Sequence, residues 1–174
     1  MSATRTTRLD GLLSTMPQRG RVGWIGVRPA KGERPASRQS VDAAPGQGLA
    51  GDRFKGTEQS KRQVTLIQAE HLAAVASILG RESVDPALTR RNVVVSGINL
   101  YALRHAKFRV GPVLLEGTGI CAPCANMELA LGPGGFNAMR GHGGITARVL
   151  EAGSISVGDP VAVEVPGALG EDEH

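Results

Sequence analysis

Two cysteines three positions apart are the residues best suited to chemistry in this chain. Cys121 and Cys124 are its only cysteines, and they fall between a predicted strand at 113–116 and a predicted short helix at 126–131. The free N–H groups at a helix N-terminus stabilise a nearby thiolate. The thiolate is the form that attacks, carries sulfur or binds metal, so this loop is the first candidate site.

The segment around the cysteines, residues 117–124, is rich in Gly, Thr and Pro. It offers little apolar packing, which predicts that both thiols lie outside the core. Four interpretations follow from the residues. The pair is two inert loop thiols, a thioredoxin-like redox pair without the usual βαβ surroundings, half of a zinc site without a spaced His pair, or a single-thiolate metal site.

Composition narrows the class of protein. The chain has 174 residues, 41% of them hydrophobic and 3% aromatic, and 24 glycines, which suits one turn-rich, strand-rich domain. The net charge is +4, and Arg provides 16 of the 20 basic residues, a bias that suits a small phosphorylated ligand. Basic runs, interleaved aromatics, long apolar stretches and a secretory signal are all absent from the sequence. We therefore expect a cytoplasmic protein that binds neither nucleic acid nor membrane.

The pattern of short apolar runs separated by turn signals predicts many strands and few helices. Residues 68–79 have helical spacing of apolar residues, and residues 30–50 are predicted to be a long polar loop. The fold class predicted is mainly β, a barrel or sandwich with helical insertions. One domain is predicted at 21–166, with a flexible or short helical lead-in at 1–20 and a flexible acidic tail at 167–174. The predicted strands are 22–28, 63–67, 92–95, 108–110, 113–116, 145–150, 155–157 and 161–165.

Seven motifs follow one another in order between residues 22 and 165: Gly51–Arg53, Arg62–Ile67, Arg90–Gly97, Leu115–Thr118, Cys121–Glu128, Ala138–Leu150 and Ile155–Val161. This ordered series resembles the MOSC family, named after the C-terminal domain of molybdenum-cofactor sulfurase. Each motif alone is weakly specific, whereas the series in this order is fairly specific. The resemblance implies a strand-rich, pyruvate-kinase-barrel-like domain.

The resemblance also implies a role for the cysteines. The family binds the molybdenum cofactor (molybdopterin) or handles sulfur for metal–sulfur cofactors. In the amidoxime-reducing members, the second cysteine of the pair binds molybdenum. The matching residue is Cys124, which ranks above Cys121 as the catalytic and metal-binding thiol.

The phosphate of a pterin cofactor requires fixed cations, and several basic residues fall within the matching motifs. Arg91 begins an apolar strand, where an unpaired guanidinium is costly to bury, so it should meet a partner or ligand. Consecutive glycines after His142 leave N–H groups free to face an anion. The predicted cofactor-binding residues are Arg53, Arg62, Arg91, Asn92, Arg140, His142, Gly143 and Arg148.

Phe54 departs from the family pattern, in which His often follows the Gly-Asp-Arg motif. This departure puts the chemistry in question more than the fold. Three functions remain open: a molybdenum-dependent redox component reducing N-hydroxylated compounds with electrons from a partner, a sulfur carrier whose cysteine persulfide is loaded by a pyridoxal-phosphate desulfurase, and a non-catalytic anion-binding module.

Overall fold

The computed structural model describes residues 8–164. Its strands are β1 Gly20–Val27, β2 Ala36–Arg38, β3 Ser40–Ala44, β4 Gly48–Leu49, β5 Val64–Gln68, β6 Val93–Ser96, β7 Lys107–Val110, β8 Val113–Ile120, β9 Ile145–Glu151, β10 Gly153–Ser156 and β11 Pro160–Val163. Its α-helices are α1 Arg8–Ser14, α2 Ala69–Ile78, α3 Ala125–Leu131 and α4 Gly135–Met139. Short 3-10 turns cover Pro86–Thr89 and Leu100–Leu103.

Seven strands close into a barrel. Their order is β11-β7-β8-β9-β5-β6-β1, and β1 closes the ring by pairing again with β11. The β5–β6 pair is parallel, and the other barrel pairs are antiparallel. β2 extends the sheet beside β1, while β10, β3 and β4 form a separate small sheet. The predicted mainly β barrel with helical insertions is therefore confirmed.

Branched aliphatic side chains fill the barrel, because a core with so few aromatic residues has to be built from Val, Leu and Ile. Fully buried examples are Ile25, Leu66, Val93, Leu115 and Ile145, one from each of five neighbouring strands. A second core lies outside the barrel wall. There α2 packs with α3 and α4 through residues such as Val75, Met127 and Met139.

Two segments differ from the sequence-based expectations. The predicted polar loop at 30–50 contains the three short strands β2, β3 and β4. Helix α4, which was not predicted, begins at the last glycine of a Gly-Pro-Gly-Gly run at 132–135. The Glu128 carboxylate accepts hydrogen bonds from the Gly134 and Phe136 N–H groups at 2.7 and 2.8 Å. This cap from the preceding helix stabilises the start of a helix whose local sequence disfavours it.

The chain termini are only partly covered. Helix α1 lies within the predicted lead-in and buries no side chain, whereas residues 1–7 and the predicted tail at 167–174 lie outside the described residues. Within 8–164, every helix is too short or too polar to cross a bilayer.

Candidate functional site

A basic cleft opens where three strand ends meet. β1 ends at Val27, while β5 and β6 begin at Val64 and Val93. β1 is antiparallel to β6, and β6 is parallel to β5, so these three ends share one rim of the barrel. The cleft there has a volume of about 520 Å³, a size typical of cofactor sites. Its walls include Arg28, Asp52, Arg53, Phe54, Lys55, Arg62, Arg90, Arg91 and Asn92.

Positive charge in the cleft is largely uncompensated. Six basic side chains face one carboxylate, Asp52. Within residues 8–164, five of the six form no ion pair or side-chain hydrogen bond. Burial lowers the pKa of Arg28, and the like charges of Arg90 and Arg53 lower it further, against the raising effect of Asp52. Six cations held together with a single carboxylate form a site for an anion.

Asn92 fixes the floor of the cleft. Its Oδ1 accepts hydrogen bonds from the N–H and hydroxyl of Thr65 at 3.0 and 3.1 Å, and its Nδ2 donates to the Gly26 carbonyl at 3.2 Å. These bonds join β1, β5 and the start of β6. The side chain predicted to bind cofactor thus holds the three strands in place at the rim.

Arg91 is buried, with 2% of its surface exposed. Its Nε donates to the Gly143 carbonyl and its Nη1 to the Thr89 carbonyl, both at 2.8 Å. Its Nη2 donates to the carbonyls of Cys121 and Ala122 at 3.2 and 3.4 Å. The partners that the sequence led us to expect are therefore backbone carbonyls of three segments, one of which is the cysteine loop.

Arg90 has an unusual backbone conformation. Its φ is 60°, the only positive φ of a non-glycine residue in the described part of the chain. It ends the 3-10 turn that begins after Asp85. The left-handed conformation is disfavoured for residues with a Cβ, and strained residues of this kind cluster at binding sites. Here it directs the Arg90 side chain to the cleft while Arg91 is buried.

The two cysteines have different environments. Cys121 follows the last residue of β8 and is fully buried, and its N–H donates to the Gly144 carbonyl at 2.9 Å. Cys124 is an exposed free thiol at the N-cap of α3. The expectation that both thiols lie outside the core is wrong for Cys121, because β8 extends to Ile120 and carries the next residue into the protein.

The surroundings of Cys124 stabilise its thiolate. Partial burial raises the pKa of this thiol, but the backbone N–H and the side-chain amide of Asn126, and then Arg90 and Arg91, lower it. The net result is a pKa below the ordinary value of a cysteine. The amide Nδ2 lies 3.5 Å from Sγ. Cys124 is therefore the more nucleophilic thiol and the better metal ligand.

We expect iodoacetamide to alkylate Cys124 in the native protein and Cys121 only after unfolding, because the second thiol is inaccessible. The pH at which alkylation of Cys124 reaches half its maximal rate should lie below that of a free thiol, and Asn126→Ala should raise this pH by removing a donor to the thiolate. Mass spectrometry after timed quenching measures the labelled cysteine and the rate of labelling, with Cys121→Ser as the control that retains a single thiol. Equal labelling of both cysteines in the native state would contradict this assignment.

Four other predicted residues lie away from the cleft walls. Arg148 pairs with Glu116, its Nε 2.8 Å from Oε1. The His142 ring packs edge-on against His71, with ring centres 5.2 Å apart. Arg140 is exposed and contacts Asn137. Gly143 contributes through its carbonyl, which accepts the Arg91 hydrogen bond.

Beside Arg53, Arg62, Arg91 and Asn92, which were predicted to bind cofactor, the structure places Arg28, Lys55 and Arg90 in the cleft walls. Arg28 could have been identified from sequence, because it directly follows a buried strand. Lys55 and Arg90 lie within or beside the same motifs as Arg53 and Arg91, but nothing local shows that their side chains converge.

The fold and the site together define a class: a small closed mixed β-barrel with a basic cleft at its rim and an exposed thiol beside it. A sequence model of the MOSC domain matches residues 45–162, more than half of the chain. The chain belongs to the MOSC domain family, as the ordered motifs predicted. Among curated proteins, none matches this chain.

Solved structures share the fold at low sequence identity. YuaD from Bacillus subtilis is 20% identical with a TM-score of 0.71, over 84% of this chain and 97% of that one. YiiM from Geobacillus stearothermophilus is 17% identical with a TM-score of 0.67, over 86% and 77%. YiiM from Escherichia coli is 19% identical with a TM-score of 0.61, over 83% and 70%. At these identities the likeness establishes the barrel architecture.

Proposed function

We propose that this protein binds the molybdenum cofactor, with the Cys124 thiolate as molybdenum ligand, and serves as a redox component that reduces N-hydroxylated compounds. The observation that carries the proposal is an exposed, thiolate-stabilised Cys124 within the field of Arg90 and Arg91, two arginines that line the basic cleft. Family membership supports the same cofactor.

The donor set fits such a group. Within residues 8–164, no three His, Cys, Asp or Glu side chains are grouped so as to hold a metal ion. A metal bound at Cys124 must therefore bring its other ligands with it. A pterin dithiolene supplies sulfur ligands to molybdenum, a soft thiolate completes the set, and the pterin phosphate requires cations.

Each protein group has a defined task in this proposal. Arg28, Arg53 and Arg62 hold the phosphate, Asn92 keeps the cleft floor rigid, and Arg91 holds the cysteine loop by its carbonyls. When bound, the metal centre supplies two electrons, received from an electron-transfer partner, which with two protons convert an N–OH group to N–H and water. The protein contributes binding, orientation and one thiolate.

A sulfur-carrier function is the second candidate, favoured by the accessibility and lowered pKa of the same thiol. A Cys124 persulfide would be loaded by a partner cysteine desulfurase that uses pyridoxal phosphate. The third, an anion-binding module with inactive cysteines, would use the basic cleft alone.

The test is the molybdenum and pterin content of protein purified from a host that makes the cofactor. We expect near-stoichiometric molybdenum in the wild type and about a hundredfold less in Cys124→Ser, because loss of the only protein ligand removes the metal bond. Cys121→Ser is the matched control and should keep its molybdenum.

Absence of molybdenum from the wild type would overturn the proposal. Mass spectrometry after incubation with a desulfurase then separates the alternatives. An additional sulfur on Cys124 of the wild type supports the carrier. An unmodified Cys124 in the wild type, together with retained anion binding in the double Cys→Ser variant, supports the binding module.

A further inference from the structure

A second cleft adjoins the first on the side of the cysteine loop. It has a volume of about 430 Å³ and lies between the segment that follows β1 and helix α3. Four basic side chains and one carboxylate, Glu33, line it together with Leu88, Asn126 and Leu129. Arg28, Pro35 and Arg90 line both clefts, so the two compartments share a wall that includes Arg90, whose charge acts on Cys124.

The second cleft is linked to the thiol through one wall residue. Asn126 places its amide Nδ2 3.5 Å from Cys124 Sγ. The cleft and the exposed thiol therefore adjoin the same side chain. Arg53 and Arg62, in contrast, line only the first cleft.

The walls of the second cleft are chemically mixed. Helix α3 buries Met127 and Leu131, whereas Leu129 faces outward with 84% of its surface exposed. Leu88 adds apolar surface to the walls, and Lys31 and Arg34 add positive charge. Arg34 forms an exposed ion pair with Asp85, 3.3 Å apart, which is a weak contact that a ligand can replace.

We propose that the second cleft binds the substrate, and that this substrate is a small molecule with an apolar body and one anionic group, a carboxylate or a phosphate. The leucines cover the apolar body, and Lys31, Arg34 and Arg90 bind the charge. The role of this ligand as a substrate rests on the proposed function, whereas the binding site itself rests on the composition of the cleft walls.

Isothermal titration of the cofactor-free 174-residue protein tests the ligand class. The probes are 1-naphthoate and 1-naphthamide, which share a ring system and differ in charge. We expect saturable naphthoate binding and an affinity for the amide about tenfold lower, because the amide lacks the charge-assisted hydrogen bonds. Leu129→Ser should weaken naphthoate about fivefold by removing apolar contact.

A matched pair of lysines tests the location. Lys31 lines only the second cleft and Lys55 only the first. Lys31→Ala should weaken naphthoate binding about threefold and leave the binding of inorganic pyrophosphate unchanged. Lys55→Ala should weaken pyrophosphate binding about threefold and leave naphthoate binding unchanged. Both lysines are exposed, so neither variant should impair folding.

No saturable naphthoate binding, equal binding of acid and amide, or the same response of both probes to both lysine variants would overturn the proposal. Because these titrations use cofactor-free protein, they do not depend on molybdenum. Absent molybdenum in the wild type would refute the proposed function and leave the binding site standing. The reverse result, molybdenum without naphthoate binding, would refute only the second cleft.

Discussion

Arg91→Met should lower the free energy of unfolding by about 3–5 kcal/mol. Methionine fills much of the same volume but cannot donate hydrogen bonds, so four backbone carbonyls lose a donor in a buried place. The carbonyls belong to three segments, and their separation should also loosen the cysteine loop. Urea unfolding followed by circular dichroism measures the change.

Arg90→Met is the matched control, because the adjacent arginine forms no side-chain hydrogen bond within the described residues. Its stability should change by less than about 1 kcal/mol, while anion binding in the cleft weakens. Arg91→Lys, which keeps the charge but not the planar fork, should fall between the two. Unchanged stability in Arg91→Met would show that the guanidinium serves a ligand and does not hold the loop.

Gly143→Ala should cost about 3 kcal/mol and expose Cys121 to alkylation in the native state. A Cβ at this position would lie 2.1 Å from the Cys121 carbonyl oxygen and 3.2 Å from Arg91 Nη2. Backbone cannot yield as a flexible side chain can, so the loop at 121–122 must move away from Arg91. Denaturant unfolding and iodoacetamide labelling measure the two effects.

Gly141→Ala provides the comparison within the same loop. Gly141 has a φ of +79° and open space around its Cα, so alanine there introduces only backbone strain of about 1–2 kcal/mol. Cys121 should stay protected in this variant. If both variants leave Cys121 protected, close packing at Gly143 does not hold the cysteine loop.

Local sequence determined the elements whose signals are local. The apolar spacing at 68–79 predicted a helix, and the structure has α2 at Ala69–Ile78. Short β-branched runs predicted most of the barrel strands, because alternation and turn residues depend on neighbours along the chain. The ordered motifs predicted the family. Four of the eight predicted cofactor-binding residues, Arg53, Arg62, Arg91 and Asn92, line the cleft, and their binding of a cofactor stays a prediction.

Contacts outside the local segment decided the remainder. Helix α4 is capped by the Glu128 carboxylate of the preceding helix, across a glycine run, and β3 pairs with β10 more than a hundred residues later. Neither partner is visible from the segment itself. For the same reason the sequence predicted a loop at 30–50, where the structure has three short strands.

Tertiary structure also decided which of the site residues are exposed and which are buried. The sequence ranked Cys124 above Cys121 only through the family resemblance and placed both thiols outside the core, and Arg90 and Arg91 are adjacent residues of the same type. The end of β8 buries one thiol and leaves the other exposed. The left-handed backbone at Arg90 sends one guanidinium to the cleft and the next to buried carbonyls. Residue type determined what chemistry was available, and burial and hydrogen bonding between distant segments decided which residue is free to perform it.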